Sequence, residues 1–151
     1  MKKRYILIVV ILLFTACTRL ANQNYLQAAQ AAVTDYELAL DSLDIRIEML
    51  EDDPQFIDDH IWKEESLRIL NDMQIAGNSF KVLPEASADL SELNRLLILV
   101  ADETTLYVDA MTTAINERDV EGIESTRAHR ETIGQYMSDV QNELIKINAS
   151  P

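Results

Sequence analysis

One cysteine, three glycines, three prolines and a single tryptophan in 151 residues leave a chain with few ways to turn and none to staple itself. A lone cysteine excludes an internal disulfide, so stability has to come from packing in any redox compartment. Scarce glycine and proline exclude the dense turns of a sandwich or barrel, and no run alternates apolar and polar residues as a half-buried strand would. Basic side chains are also few: 13 Lys and Arg against 26 Asp and Glu give a formal charge of −13. That sign repels nucleic acid and an anionic bilayer, which removes both as the main binding surface. The usual catalytic motifs are missing as well, with no Gly-x-Ser-x-Gly, no phosphate-cradling glycine loop and no His-Glu-x-x-His. Three residues before His60 and His129 stand Ile57 and Thr126, so the Glu-x-x-His of di-iron carboxylate bundles is lacking. No Cys-x-x-Cys-His offers a covalent haem site.

What the chain does have begins at its first residues. Lys2, Lys3 and Arg4 are followed by an apolar run from Tyr5 to Phe14 and then by Thr15-Ala16-Cys17. A basic start, a short apolar stretch and small residues before a cleavage point make a secretory signal. The run is roughly half the ~20 apolar residues that a membrane-spanning helix needs. Phe14-Thr15-Ala16-Cys17 resembles the lipobox of bacterial lipoproteins, with phenylalanine where leucine is usual and the only cysteine at the required place. This resemblance is confined to the signal and Cys17. It implies cleavage before Cys17, a diacylglycerol on its sulfur, and a lipid anchor holding the chain to a membrane of the cell envelope, on the extracytoplasmic side. Residues 1–16 are then the cleaved signal and 17–24 the lipidated cysteine with a short polar tether. Residues 25–148 form a helical domain, and 149–151 a tail. Loss of Lys2, Lys3 and Arg4 takes the formal charge from −13 to −16.

From Leu26 the apolar residues fall at alternating intervals of three and four, the period of one helix face. The first helix carries Leu26, Ala29, Val33, Tyr36, Leu40, Leu43, Ile47 and Leu50, and Asp52-Asp53-Pro54 ends it. A second helix is expected from Pro54, with Trp62, Ser66, Ile69, Met73, Ala76 and Phe80 inward and Ile57, Ile61, Leu67 and Leu70 broadening the apolar face. The third, capped by Ser87 or Ser91, carries Leu90, Leu93, Leu97, Val100, Thr104, Tyr107, Met111 and Ala114. The fourth starts at an Asp119 cap and carries Ile123, Thr126, Arg130, Ile133, Met137, Val140, Leu144 and Ile147. Four long heptad-patterned helices with short connections predict an all-α, antiparallel up-down-up-down four-helix bundle. A three-helix coiled coil or a dimer of hairpins is the alternative. Met73, Met111 and Met137 are expected in the core.

Two constellations stand out. The first is an acidic pole where the first and third connections would meet: Glu48, Glu51, Asp52, Asp53, Asp58, Asp59, Glu117, Asp119, Glu121 and Glu124, with only Arg118 nearby. Such a patch suits a cation or a basic protein partner. It lacks the spaced oxygen ligands and turn glycine of a calcium loop, and three residues of it oppose the dipole at a helix C-terminus. The second is Arg130, a charge at a seam position, expected to pair with Glu64 or Glu65 and to meet the Tyr107 hydroxyl, because a buried charge is costly unless paired. His60 and Glu64, four apart, supply two zinc ligands where three or four are needed. No catalytic residue, cofactor or metal is assigned. The expected role is a non-catalytic binding or interaction module of the cell envelope, and the alternative is a small-molecule- or metal-binding bundle acting as sensor or carrier.

Overall fold

The computed structural model describes the backbone of residues 2–149 and the side chains of residues 22–149. Cys17, the expected lipidation site, lies outside the described side chains, as do the last two residues of the tail. The described chain is helical, with no strand among its residues. It forms four helices: α1 (Lys2–Asp52), α2 (His60–Ser79), α3 (Ser91–Glu117) and a fourth broken into α4 (Val120–Ser125) and α5 (Arg127–Ala149).

The spacing-derived faces are the buried ones. All eight third-helix residues from Leu90 to Ala114 are buried, as are the six from Trp62 to Phe80. On α1, Ala29, Val33, Tyr36, Leu40, Leu43 and Leu50 are buried, joined by Tyr25 and Ala32. Met73, Met111 and Met137 are all core residues. Tyr25 is fully buried and donates to Asn94 Oδ1 at 3.1 Å. Residues 22–24, expected in the tether, are part of α1.

Boundaries differ more. Pro54 does not open the second helix. Asp53 accepts from Gln55 N and caps a 3-10 turn over Pro54–Asp58, and Asp59 then caps α2 by accepting from Trp62 N at 2.7 Å. Two aspartates in succession compete for the backbone, and each wins its own turn. Trp62 keeps its expected inward place, and Ile61, one position before it, is 71% exposed where an apolar contact was expected. Neither Ser87 nor Ser91 caps the third helix through its side chain. Ser91 Oγ instead donates back to Ala88 O, and a 3-10 turn at Ala88–Leu90 leads in.

Between α3 and α4, Arg118 adopts φ 58°, with Asp119 N bonded to Ala114 O and Arg118 N to Ile115 O. This is the paired bonding of a left-handed C-cap, usually a glycine's place. Asp119 caps α4 as expected, accepting from Gly122 N at 3.0 Å. The fourth helix then breaks at Thr126, whose backbone N–H and hydroxyl both turn to Ile123 O.

α1 packs along α2, α2 along α3, and α3 along α5. The first three helices meet closely at one level. Thr104 Oγ1 donates to Val100 O at 2.7 Å, so the Tyr36 hydroxyl must supply the proton of the 2.5 Å bond between Tyr36 and Thr104. Phe80 stacks at a tilt on Tyr36, with ring centroids 5.4 Å apart. Gly77 makes room for Thr104, because a Cβ there would sit 3.2 Å from its Cγ2. Inside a helix, Gly→Ala is normally stabilising by ~1 kcal/mol. Here Thr104 is held by two hydrogen bonds and cannot retreat, so Gly77→Ala is expected to lower stability by about 1 kcal/mol. Thermal unfolding followed by circular dichroism checks this, and a raised midpoint would show that the contact relaxes freely.

Candidate functional site

α1 and α5 meet differently from the other neighbours. Their cross-links are long polar side chains: Arg127 to Glu51 at 3.0 Å, Arg130 to Asp44, and Gln141 to Glu37 at 2.7 Å. Two cavities open along this line, and Arg130 borders both. The larger, about 600 Å³, lies toward the α1–α2 connection and α4. Its apolar lining includes Ile47, Leu50, Val120 and Ile123, and Tyr107 and Thr126 also border it. The smaller, about 390 Å³, is bordered by Glu37, Leu40, Met137 and Gln141 among others.

Arg130 is clamped by two bonds, Nε to Asp44 Oδ1 at 2.9 Å and Nη2 to Asp44 Oδ2 at 2.5 Å. The pair is partly covered, at 28% and 34% side-chain exposure. Glu64 and Glu65, its expected partners, are elsewhere: Glu65 holds Arg68, and exposed Glu64 stands 3.6 Å from His60. A seam position specifies the inward direction of a side chain and leaves open which neighbouring helix supplies the counter-charge. Gly134 lies beside the guanidinium, where a Cβ would make an ordinary 3.4 Å contact with Nη1.

Tyr107 does come to this place, but without a bond. It is fully buried, and its hydroxyl has no hydrogen-bond partner among the described residues. The Thr126 hydroxyl lies close enough to favour the phenolate slightly, yet its own proton goes to Ile123 O and no bond of proper geometry forms. Burial and then the Asp44 carboxylate push the Tyr107 pKa up, with Arg130 pulling weakly the other way. The hydrogen bond to Asp44 leads in holding the Arg130 pKa above its ordinary value. Ser66 is likewise buried with no partner among the described residues.

The acidic pole is largely committed to local structure. Asp53, Asp59 and Asp119 are caps. Asp58 pairs with Arg118 at 2.9 Å, and Glu51 and Glu124 share Arg127. Arg127 is therefore a second cation within the pole, beside the expected Arg118. Of the residues opposing the α1 dipole, Glu51 is paired and Asp53 serves the next turn, which accounts for both. Asp52, Glu117 and Glu121 are exposed, and Glu48 borders the larger cleft. No group of three His, Cys, Asp or Glu among the described residues is placed to hold a metal ion. One contact had no signal in the sequence: His129 Nδ1 lies 2.5 Å from Glu103 Oε1, joining α5 to α3. Among the described residues no helix is long and apolar enough to cross a membrane. No protein-family model, curated protein or solved structure matches the chain.

Asp44→Asn leaves Arg130 half-buried and unpaired, and is expected to cost about 1–2 kcal/mol, a value between those of exposed and buried pairs. Asp72→Asn breaks the exposed Arg68 pair and should stay within ~0.5 kcal/mol. Urea unfolding of both variants checks the difference, and equal costs would mean that the Arg130 clamp contributes no more than a surface pair. Alkali provides a second test. Burial pushes Tyr25 and Tyr36 from 10.0 up to about 12, so the folded chain keeps protons that the unfolded chain releases. Their contribution is whole below pH 10 and is lost progressively from pH 10 to 12. The tyrosinate absorbance of these two residues, taken as the difference from Tyr25→Phe and Tyr36→Phe variants, should rise together with the loss of helical circular dichroism, and their ionisation ahead of unfolding would contradict it.

Proposed function

We propose that the protein is a lipid-anchored, extracytoplasmic binding module of the cell envelope, without catalytic activity. The observation that carries the anchor is the run Tyr5 to Phe14 ending in Thr15-Ala16-Cys17, at the chain's only cysteine. For the binding role, the supporting feature is the larger cleft, whose volume of about 600 Å³ lies within the usual range for small-molecule sites. It favours the small-molecule form of that role, a carrier or sensor, over a purely surface-mediated one. The non-catalytic part is supported by the commitment of the cleft's cations, Arg130 to Asp44 and Arg127 to Glu51 and Glu124. Groups locked in ion pairs are poorly poised for proton transfer.

The same reading takes the four helices as an antiparallel up-down-up-down bundle. It is supported by cross-helix bonds in which numbers rise on one helix as they fall on its neighbour. Trp62 reaches Arg46 O, Lys63 reaches Asn116 O, Gln74 bonds Thr105, and Glu51 and Glu37 bond Arg127 and Gln141. With Cys17 anchored, the cleft and the remaining acids face away from the membrane, open to a ligand or a basic partner.

Metabolic labelling of the full chain with an alkyne palmitate in a bacterial host tests the anchor. The native chain should take up label and sediment with membranes, while Cys17→Ser should lose the label and accumulate as the longer precursor. Unchanged labelling of Cys17→Ser would overturn the anchor.

A further inference from the structure

We propose that the larger cleft takes a small organic cation, an amine or quaternary ammonium carrying an apolar body. This rests on the binding-module reading above and adds the chemistry of the ligand. Both arginines at the cleft are already neutralised, Arg130 by Asp44 and Arg127 by Glu51 and Glu124. Two further carboxylates border the cleft, Glu48 and Glu131, both exposed and neither in an ion pair with a described residue. The cleft therefore presents uncompensated negative charge at its border and, at its base, the buried side chains of Leu50 and Ile123 with partly covered Ile47 beside them. Negative charge beside a low-dielectric wall concentrates cations and disfavours anions.

The independent sign of a ligand is Tyr107. Its side chain lines the cleft and is 0% exposed, yet its hydroxyl is without a hydrogen-bond partner among the described residues. Buried polar groups are almost always satisfied, and each exception calls for a missing partner. Burial holds this group as the neutral phenol, so it offers a proton to an acceptor on the ligand. A bare metal ion fits poorly, since among the described residues no three carboxylate, imidazole or thiolate groups converge on one point. An alkylammonium or arylammonium needs only one or two carboxylates at its charged end and an apolar surface for the rest.

Fluorine NMR titration of the full chain in neutral detergent micelles, with protein-free micelles as reference, tests the inference. The probes are para-fluorobenzylamine, para-fluorobenzyl alcohol and para-fluorobenzoate at neutral pH, which share a ring and differ in charge. The amine is expected to bind about tenfold more tightly than the alcohol, with the benzoate weakest. Replacing both border carboxylates, Glu48→Gln with Glu131→Gln, should remove most of that preference. Tyr107→Phe, which deletes one oxygen from a fully buried ring, tests the hydroxyl with a ligand bearing an acceptor: para-fluorophenacylamine should bind about threefold more weakly to the variant. The surface change Glu85→Gln should leave every affinity unchanged. If alcohol or benzoate binds as well as the amine, in a way that Tyr107→Phe or the double variant alters, the cation assignment falls and the binding cleft stands. If no probe binds a chain whose circular dichroism is native, both fall.

Discussion

The two-point clamp between Arg130 and Asp44 is the constraint on which the α1–α5 side of the molecule depends. Along the other three lines of contact, helices approach closely enough for apolar side chains to fill the space between them. On this side, polar chains several bonds long span the gap, and Arg130 stands between the two cavities the gap leaves. A guanidinium is suited to this because its stem covers apolar surface while its planar head meets a carboxylate at two points. The cleft and the clamp are thus consequences of the same spacing. Filling the gap with larger aliphatic residues would remove the need for the charge and the room for a ligand together.

Negative charge, so abundant in the chain, is used unevenly. Much of the acid around the α1–α2 and α3–α4 connections is spent on backbone N–H groups at helix starts, where it meets the positive end of the dipole, or on Arg118 and Arg127. Capping aspartates are worth most where a chain short of glycine and proline has to turn, so the composition and the acidic pole have a common cause. Of the acids in no ion pair with a described residue, Glu48 and Glu131 flank the cleft, while Asp52, Glu117 and Glu121 stand exposed elsewhere.

Helix content and inward faces were legible in the sequence because intervals of three and four residues encode them directly. The row from Leu90 to Ala114 is buried without exception. The failures share a physical origin in competition or in register. At Asp53 and Asp59 each aspartate could cap a turn, and only the packed chain shows that both do. For Arg130, spacing gave its direction correctly and its partner wrongly. Asp44 follows the buried Leu43 on α1, and nothing in the local pattern of either helix fixes how far one slides along the other. The His129–Glu103 contact was hidden for the same reason. At the cleft, Arg130 was expected to meet the Tyr107 hydroxyl; both residues line the cleft, but that hydroxyl has no partner among the described residues, which depends on atomic positions that no spacing rule carries.

The break at Thr126 gives the cleft a wall of an unusual kind. α4 starts with an aspartate bonded to its own first turn and stops with a threonine bonded to its own last turn. Both capping side chains thus lie within residues 119–126, and Val120, Ile123 and Glu124 line the cleft from within that run. Between Asp119 and Thr126 the wall behaves as a short insert whose start and stop signals travel with it. The remaining helices, whose faces are fixed by one another, form a frame into which that insert fits. The cleft's lining on this side thus depends on one short run, of which Ile123 is itself buried in the core shared with the other helices.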